Sequence, residues 1–339
     1  MISFDELQAV WKQIRIPVVG EQVEARELTV IKLIYGSPLL TIDSKKQRHL
    51  LIPVPDDQQT YEDTNSSGIH ITTQRWGMMN HIGRYIDIAC LKPHLNDLFD
   101  LIVLDIFDEL LGDAAQPDLS AHAVLERWRD LLQSSGPKLP SKRKVIGLFG
   151  ELWFLREMTK LVTTAVDAWQ GPHNGRYDFY TGQSAIEVKT SRETVRKSAV
   201  IHGHMQLEPP PNGLLYFLRV QVETGIAAQE TLEALVKDII TLGCDQRKLY
   251  AALLRVGFTI DIIERTRDIR INVLGVEAFQ VDDQFPKITR SSFIGGELPP
   301  GVSDIQYRVD LSGIRPAGPD EYNRFIKQVV EEISNAALS

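Results

Sequence analysis

The stretch that most constrains this chain is Tyr177–Ser191, in which two short β-like runs flank a Gly-Gln pair. Gly182 at the first central position suits a two-residue type II′ hairpin loop. With that loop, the antiparallel register places Asp178 directly opposite Glu187 on one face of the hairpin. A loop of three residues would put the two carboxylates on opposite faces, so the loop length decides whether they share a site.

Lys189 adds an ammonium to the same predicted face, because side chains two residues apart in a strand point the same way. Ile186 and Val188 point the other way, into a core. Opposed carboxylates at about 5 Å destabilise a hairpin, and one lysine offsets only part of the repulsion. Mg²⁺ would offset the rest, since it binds one or two carboxylates and leaves its other positions to water and phosphate oxygens. A metal-bound water oriented by Lys189 predicts phosphodiester hydrolysis, and the alternative is an ordinary solvated hairpin face.

A predicted buried helix supplies a third carboxylate. Lys142–Lys160 is apolar on almost every side, and Ser141 is available as its N-cap. Glu151 lies in the middle of this helix, where a carboxylate is costly unless it is paired or binds a metal. We expect Glu151 to be an auxiliary metal ligand or a nearby acid, and a buried glutamate paired with an arginine or a backbone amide is the alternative.

These residues resemble the PD-(D/E)XK nuclease superfamily, in which a helix-borne glutamate precedes a β-hairpin that carries Asp…(Asp/Glu)-x-Lys. Glu151, Asp178 and Glu187-Val188-Lys189 match that pattern, and Tyr177 stands where the superfamily commonly has a proline. The chain also resembles a bacterial family of PD-(D/E)XK proteins that are often encoded beside restriction-modification and other defence genes. Segments along most of the chain carry this similarity: Glu126–Trp128, Gly147–Trp153, Val166–Trp169, Gly171-Pro172, Gln206–Pro210, Phe285–Arg290 and Tyr307–Ser312.

The resemblance implies an α/β fold, mixed α+β overall, with a restriction-endonuclease-like core of a mixed sheet flanked by helices. It implies Asp178, Glu187 and Glu151 as ligands of Mg²⁺, for which Mn²⁺ substitutes, and Lys189 as the water-orienting group. Some superfamily members place a glutamine after the E-x-K strand, which implies a catalytic role for Gln206. The alternative for Gln206 is an amide that bonds the backbone near a turn.

The net charge of −8 is unfavourable for a DNA-binding chain as a whole, because phosphate contacts supply most of the affinity. Basic residues nevertheless cluster before the predicted buried helix and after the hairpin, as a groove that follows a phosphate backbone requires. A solvated charged face is the alternative for each cluster. The predicted nucleic-acid-binding residues are Lys142, Arg143, Lys144, Arg192, Arg196 and Lys197.

A chain of 339 residues suits two or three domains. We predict an N-terminal α+β recognition or docking domain over 1–118, a nuclease core with its leading helices over 119–245, and an α+β extension over 246–339. Within these, Leu28–Ile34 and Ala199–Leu207 are among the predicted strands, and a helix is predicted to start at an N-cap Ser120.

Other polar residues lack a pattern that assigns a role. His202 and His204 share a strand face, but one such pair supplies only two of the ligands that a zinc site needs. Lys287, Arg290 and Arg308 are candidates for a binding surface, and a polar surface without a function is the alternative.

The N-terminus carries Asp5 and Glu6 where a signal peptide would be basic and then apolar, and no apolar run is long enough to span a membrane. Cys90 and Cys244 form no metal-ligand spacing and favour a reducing cytoplasm. We therefore predict a cytoplasmic Mg²⁺-dependent DNA endonuclease of bacterial restriction or anti-phage defence. Its expected partners are DNA, an ATPase or DNA methyltransferase of the same system, and a second copy in a homodimer. The alternatives are a non-cleaving DNA-binding or scaffold subunit and a nuclease that acts on RNA.

Overall fold

The structure is a computed structural model that divides the chain into two compact units, Met1–Lys138 and Leu139–Ser339. The finer division at residues 118 and 245 remains a prediction. No helix in the described part of the chain is long and apolar enough to cross a membrane. The structure describes residues 2–65, 68–78, 81–112, 116–133, 139–173, 175–192, 197–225, 227–296, 298–299, 301–302 and 305–337.

The first unit is an antiparallel sheet with helices packed on it. Its strands follow the order β1-β2-β3-β5-β4 across the sheet. They are β1 Ala25–Glu27, β2 Leu39–Ile42, β3 Arg48–Pro53, β4 Ile69–Met78 and β5 His81–Cys90. Its helices are α1 Phe4–Gln13, α2 Asn96–Gly112 and α3 Pro117–Gln133.

Two predictions for this unit are wrong. Leu28–Ile34 is not a strand, because only β1 before it pairs with β2 and the chain then enters turns. The helix predicted from Ser120 begins at Pro117 instead, since a proline at the first helical position gives up no hydrogen bond and already has a helical φ.

The second unit has a mixed sheet, in the order β10-β9-β7-β6, and a separate two-stranded sheet, β11-β8. β7 runs parallel to β9, and the other neighbours are antiparallel. The strands are β6 Phe179–Tyr180, β7 Ser184–Ser191, β8 Ser198–His202, β9 Leu214–Thr224, β10 Ile271–Gln280 and β11 Gln306–Asp310. The helices are α4 Lys142–Thr159, α5 Leu232–Thr241, α6 Gln246–Arg255, α7 Ile260–Arg265 and α8 Pro319–Ala336.

Strand alternation in β7 separates two cores. Ile186 and Val188 pack with α4, α5 and α8 on one face of the sheet. Ala185 packs on the other face with Phe217 and with the inward side chains of β8 and β11. The central strand of the site is therefore covered on both faces, and the predicted fold class, a mixed α+β chain with a restriction-endonuclease-like core, is confirmed.

Local signals explain where these elements begin and end. Ser141 accepts a hydrogen bond from Lys144 N at 3.3 Å and caps α4, as predicted. Thr231 caps α5 in the same way at 3.1 Å. The strand predicted to reach Leu207 ends at His202, because Gly203 follows with a φ of +85° and turns the chain.

Glu332 on α8 holds the loop of the β6–β7 hairpin. Its carboxylate accepts hydrogen bonds from Ser184 N at 3.0 Å and from Ser184 Oγ at 3.0 Å, and Thr181 Oγ1 also donates to it. Gln328 Nε2 supports the same carboxylate at 2.8 Å. The last helix thus fixes the turn that sets the register of the site.

We expect Glu332→Ala to lower the free energy of unfolding by about 1–3 kcal/mol, because Ser184 is buried and would lose its acceptor. Glu331→Ala is the matched control, since Glu331 is exposed on the same helix and its loss is expected to cost less than about 0.5 kcal/mol. Urea unfolding of both variants measures the difference. Equal losses for the two variants would contradict a specific role of Glu332.

Candidate active site

The hairpin has the predicted two-residue loop and register. Phe179 pairs with Ile186, and Tyr180 pairs with Ala185. Gly182 has a φ of +100°, in the region that favours glycine. The pairing ends at Phe179, and Asp178, one residue before the strand, lies close to β7 through the hydrogen bond from Val188 N to its Oδ2.

Asp178 is held at both its backbone and its side chain. Its carbonyl oxygen accepts hydrogen bonds from Gln170 N at 2.8 Å and Gly171 N at 3.1 Å. Its Oδ2 accepts from Val188 N at 2.7 Å. Burial raises the pKa of the Asp178 carboxyl, while the charge of Lys189 and the Val188 N–H act in the opposite direction. One carboxylate is therefore presented in a fixed orientation beside β7.

Glu187 is fully buried and only half satisfied. Lys189 Nζ donates to Glu187 Oε1, and Glu187 Oε2 has no hydrogen-bond partner among the described residues. Burial, and then the negative charge of Asp178, raise the pKa of Glu187 well above its ordinary value. Burial lowers the pKa of the Lys189 ammonium, but the carboxylates of Glu187 and Asp178 outweigh it and raise the pKa overall. Ionised carboxylates in this cluster therefore need positive charge nearby.

Glu151 reaches the cluster from the middle of α4. Trp169 Nε1 donates to its Oε2 at 2.9 Å, so its observed partner is an indole rather than an arginine or a backbone amide. A Cβ on Gly171 would lie 2.7 Å from the same oxygen, so the glycine leaves room for the carboxylate. Burial and the charge of Asp178 raise the pKa of Glu151 to about 8.

Glu151, Asp178 and Lys189 line one open cleft of about 580 Å³, and Glu187 lies buried behind that lining. Glu151, Asp178 and Lys189 contribute its acidic cluster and its ammonium. The guanidinium side chains in its lining are Arg143, Arg192, Arg219 and Arg308. Among the described residues, the cleft therefore combines a small acidic centre with a basic surround.

The predicted basic residues divide into two groups. Arg143 and Arg192 line the cleft. Lys144 lies over the ring of Phe258, with Nζ 5.7 Å from the ring centroid, and Lys197 Nζ pairs with Glu277 Oε1 at 2.5 Å. Lys142 is exposed but is not part of the described lining of the cleft, and Arg196 falls outside the described residues.

The structure does not bring Gln206 to the cleft. Its Oε1 accepts a hydrogen bond from His202 N at 3.2 Å, which is the backbone bond that the sequence allowed as an alternative. The catalytic role predicted for Gln206 has no support from this placement. His202 lines the cleft, whereas the ring of His204 packs against Phe293, so the two do not act as a pair of ligands.

Sequence reasoning missed Arg219, which is the parallel register partner of Lys189 on β9. Arg219 is 2% exposed, and its Nη1 bonds Glu277 Oε2 at 3.1 Å and Gln221 Oε1 at 3.3 Å. The sequence did carry a signal for Arg219, because it is the one charged residue inside the apolar run Leu214–Val222. A charged side chain in a buried strand needs a partner, so it deserved a role in the prediction.

The cleft supplies the donor type that a hard divalent cation takes, although the ligand atoms of Asp178, Glu187 and Glu151 do not all lie within 4.8 Å of one another in this structure. The ligand atoms would be carboxylate oxygens of Asp178, Glu187 and Glu151, which are the type that Mg²⁺ prefers. The unpartnered, buried Oε2 of Glu187 is the observation that supports this fit, since such an atom is costly without a partner.

A second group of ligand-type side chains lies in the first unit. Asp63, His122 and Glu126 are the one group of three in the described residues whose ligand atoms all lie within 4.8 Å of one another. His122 Nδ1 already bonds Asp63 Oδ2 at 3.1 Å, and its ring packs on Tyr61. A hydrogen-bonded His–Asp pair therefore accounts for this group without a metal.

Comparison with protein families gives a match over most of the chain. The family described as "Putative PD-(D/E)XK family member (DUF4420)" matches residues 7–312. The chain belongs to this family. No curated protein and no solved structure matches the chain.

Membership confirms the resemblance to PD-(D/E)XK proteins that the sequence motifs indicated. Proteins of that superfamily are usually nucleases and generally use divalent metals, so the chain is a nuclease-like protein. The defence setting, the metal identity and the nucleic acid stay predictions.

Proposed function

We propose that this chain is a Mg²⁺-dependent endonuclease that hydrolyses phosphodiester bonds of DNA. The observation that carries the proposal is the half-satisfied Glu187, whose free Oε2 lies in a buried cluster with Asp178 and Lys189. A purely structural pair has little reason to keep a second carboxylate opposite the first, because the arrangement costs stability.

Asp178, Glu187 and Glu151 would hold the cation. When bound, it lowers the pKa of a coordinated water and stabilises negative charge on the phosphoryl oxygens. Lys189 donates from a fixed position on β7, where its ammonium orients the attacking water and stabilises the charge that develops during attack. Trp169 keeps Glu151 turned toward the cluster through its indole N–H.

Arg143 and Arg192 line the cleft, and in this proposal they bind phosphates of the substrate. Lys142, Arg143 and Lys144 occupy the first turn of α4, where the helix dipole disfavours positive charge. Their presence there is therefore not explained by helix stability and fits a surface that attracts nucleic acid. A role in bacterial restriction or anti-phage defence, beside an ATPase or methyltransferase, follows from the family resemblance alone and is part of this proposal.

We expect Asp178→Asn to abolish both Mg²⁺ binding and plasmid nicking. The test is calorimetric titration of Mg²⁺ and Mn²⁺ into the wild type and the variant, with cleavage of plasmid DNA and of RNA scored on the same samples. Asp238→Asn is the matched control, because Asp238 is exposed on α5 and pairs with Arg156 at 3.2 Å, away from the cleft.

Loss of metal binding together with nicking in Asp178→Asn alone would support the endonuclease. Cleavage of RNA but not DNA would make RNA the substrate and leave the proposed metal-dependent hydrolysis unchanged. Absence of metal binding by the wild type, even with DNA present, would leave a non-cleaving scaffold subunit on the same fold.

A further inference from the structure

The two-stranded sheet of β8 and β11 has one apolar and one polar face. Ala199, Ile201 and Val309 point into the core beside β7 and β9. The other face carries Ser198, Val200 and His202 from β8, and Gln306, Arg308 and Asp310 from β11; Asp310, the partner of Ser198, is an acid outside the described lining of the cleft. This second face is the polar face of the ribbon.

The pairing of the two strands puts the long side chains next to one another. Gln306 pairs with His202, and Arg308 pairs with Val200. His202, Gln306 and Arg308 are exposed, although they lie on strands whose alternate residues are buried. The polar face therefore presents polar side chains to solvent from two paired strands.

The polar face belongs to the cleft that contains the acidic cluster. Ser198, Val200, His202, Gln306 and Arg308 all contribute to the lining that Glu151, Asp178 and Lys189 share. A nucleic acid whose phosphate reaches the acidic cluster would thus lie beside the polar face.

Two contacts hold the polar face in a defined arrangement. Arg308 Nη1 donates to Ser198 Oγ at 3.1 Å, across the two strands. Gln206 Oε1 accepts from His202 N at 3.2 Å and fixes the end of β8. Side chains oriented in this way lose less entropy when they bind.

The chemistry of these side chains suits base edges better than phosphates alone. An arginine recognises the O6 and N7 of guanine with two hydrogen bonds, and a glutamine recognises the N6 and N7 of adenine in the same manner. The major groove of B-form DNA admits a two-stranded β-ribbon, whereas the deep, narrow major groove of A-form RNA does not. A two-stranded ribbon that carries an arginine and a glutamine therefore favours duplex DNA over duplex RNA as the partner.

We propose that the polar face of the β8–β11 ribbon reads base sequence in the major groove of duplex DNA, with Arg308 and Gln306 as specificity-determining residues. The proposal rests on the proposed function in that the same DNA occupies the cleft. It gives the endonuclease a sequence preference and locates that preference on one element.

The test is selection of bound duplexes from a library of random DNA, carried out without metal so that no strand is cut. Full-length wild type, Arg308→Ala, Arg308→Lys and Gln306→Ala are compared with Arg324→Ala, an exposed arginine on α8 that is not part of the described cleft lining. We expect the wild type and Arg324→Ala to enrich the same motif. Arg308→Ala is expected to lose one or two positions of that motif and to bind the selected duplex roughly 10- to 100-fold more weakly.

Arg308→Lys distinguishes recognition of bases from electrostatic attraction to phosphates. It keeps the positive charge but lacks the planar pair of donors, so we expect the motif to change while affinity for unselected duplex changes less than about threefold. The same loss of motif, at other positions, is expected for Gln306→Ala. An unchanged motif in all three variants, no motif in the wild type, or stronger binding to RNA would overturn the proposal.

Cleavage is scored separately, which distinguishes this inference from the proposed function. A wild type that nicks DNA while Arg308→Ala keeps the wild-type motif would refute the reading role and leave the nuclease. A motif that depends on Arg308 in a protein that cuts under no metal condition would refute the nuclease and leave the reading role.

Discussion

Replacing Lys189 with alanine is expected to abolish hydrolysis and to make the stability of the protein depend on a divalent cation. The substitution removes the ammonium that donates to Glu187 in a cluster with Asp178 and Glu151. Removing one partner of a buried ion pair costs about 3–5 kcal/mol, because the other charge stays buried without compensation. A bound cation would take over that compensation, so ligand binding should restore most of the loss.

Thermal unfolding with and without Mg²⁺ measures the effect, and cleavage is scored on the same samples. The melting temperature of Lys189→Ala should rise on addition of Mg²⁺ by several degrees more than that of the wild type, while the rate of nicking falls by at least about 100-fold. Lys237→Ala is the control, since Lys237 is an exposed lysine on α5 that pairs with Glu233 and is not part of the described lining of the cleft. A variant that is destabilised but does not respond to Mg²⁺ would contradict a cation site at these carboxylates.

A methyl group at Gly150 is expected to separate α4 from β7. A Cβ built on Gly150 would lie 1.9 Å from Thr190 Oγ1 and 3.1 Å from Thr190 Cβ, so rotation of the threonine side chain would still leave a tight contact with Cβ. We expect Gly150→Ala to cost about 1–3 kcal/mol or more and to weaken metal binding, because the neighbouring Glu151 moves with the helix.

Gly147→Ala is the matched control on the same helix, where a Cβ would meet nothing within 4 Å. That substitution is expected to stabilise the protein by about 0.5–1 kcal/mol, since alanine has the higher helix propensity. Thr190→Ala in the Gly150→Ala background should recover much of the lost stability. Equal changes in the free energy of unfolding for Gly147→Ala and Gly150→Ala would show that the close approach of α4 to β7 does not affect stability.

The parts of the site that sequence alone predicted are those set by short-range geometry. A two-residue loop fixes the register of a hairpin, so the pairing of Phe179 with Ile186, and with it the approach of Asp178 to β7, followed from the loop length. The apolar surroundings of Glu151 identified a buried carboxylate before its partner was known.

The parts that sequence could not predict depend on contacts between distant segments. The Trp169 indole that bonds Glu151 and the Glu332 carboxylate that holds the loop obey no local spacing rule. Arg308 was recognised only as a candidate surface residue, because its place in the cleft depends on how β11 pairs with β8. Gln206 depends on a local turn instead, since the chain turns after His202 and the Gln206 side chain bonds the His202 backbone outside the described lining of the cleft.

The error at Leu28–Ile34 has a physical reason of its own. Leu28 and Ile31 are buried, whereas Val30 and Ile34 are 71% and 66% exposed. The buried residues are three apart, which is the spacing of turns rather than the alternation of a strand. An apolar run therefore indicated burial correctly but not the backbone conformation.

Two long-range contacts affect when the acidic cluster forms during folding. One is the parallel pairing of β7 with β9, and the other is the hydrogen bonding of the β6–β7 loop to Glu332. Parallel neighbours cannot form by folding back through a tight turn, so β7 is completed only after residues 214–221 have joined it. The loop gains its last constraint from a residue 148 positions further along the chain. Closing contacts over such separations is slow, so the acidic cluster is expected to assemble late in folding. If the proposed activity holds, a chain still being synthesised would carry Asp178, Glu187 and Lys189 for some time before they are arranged to hydrolyse a phosphodiester.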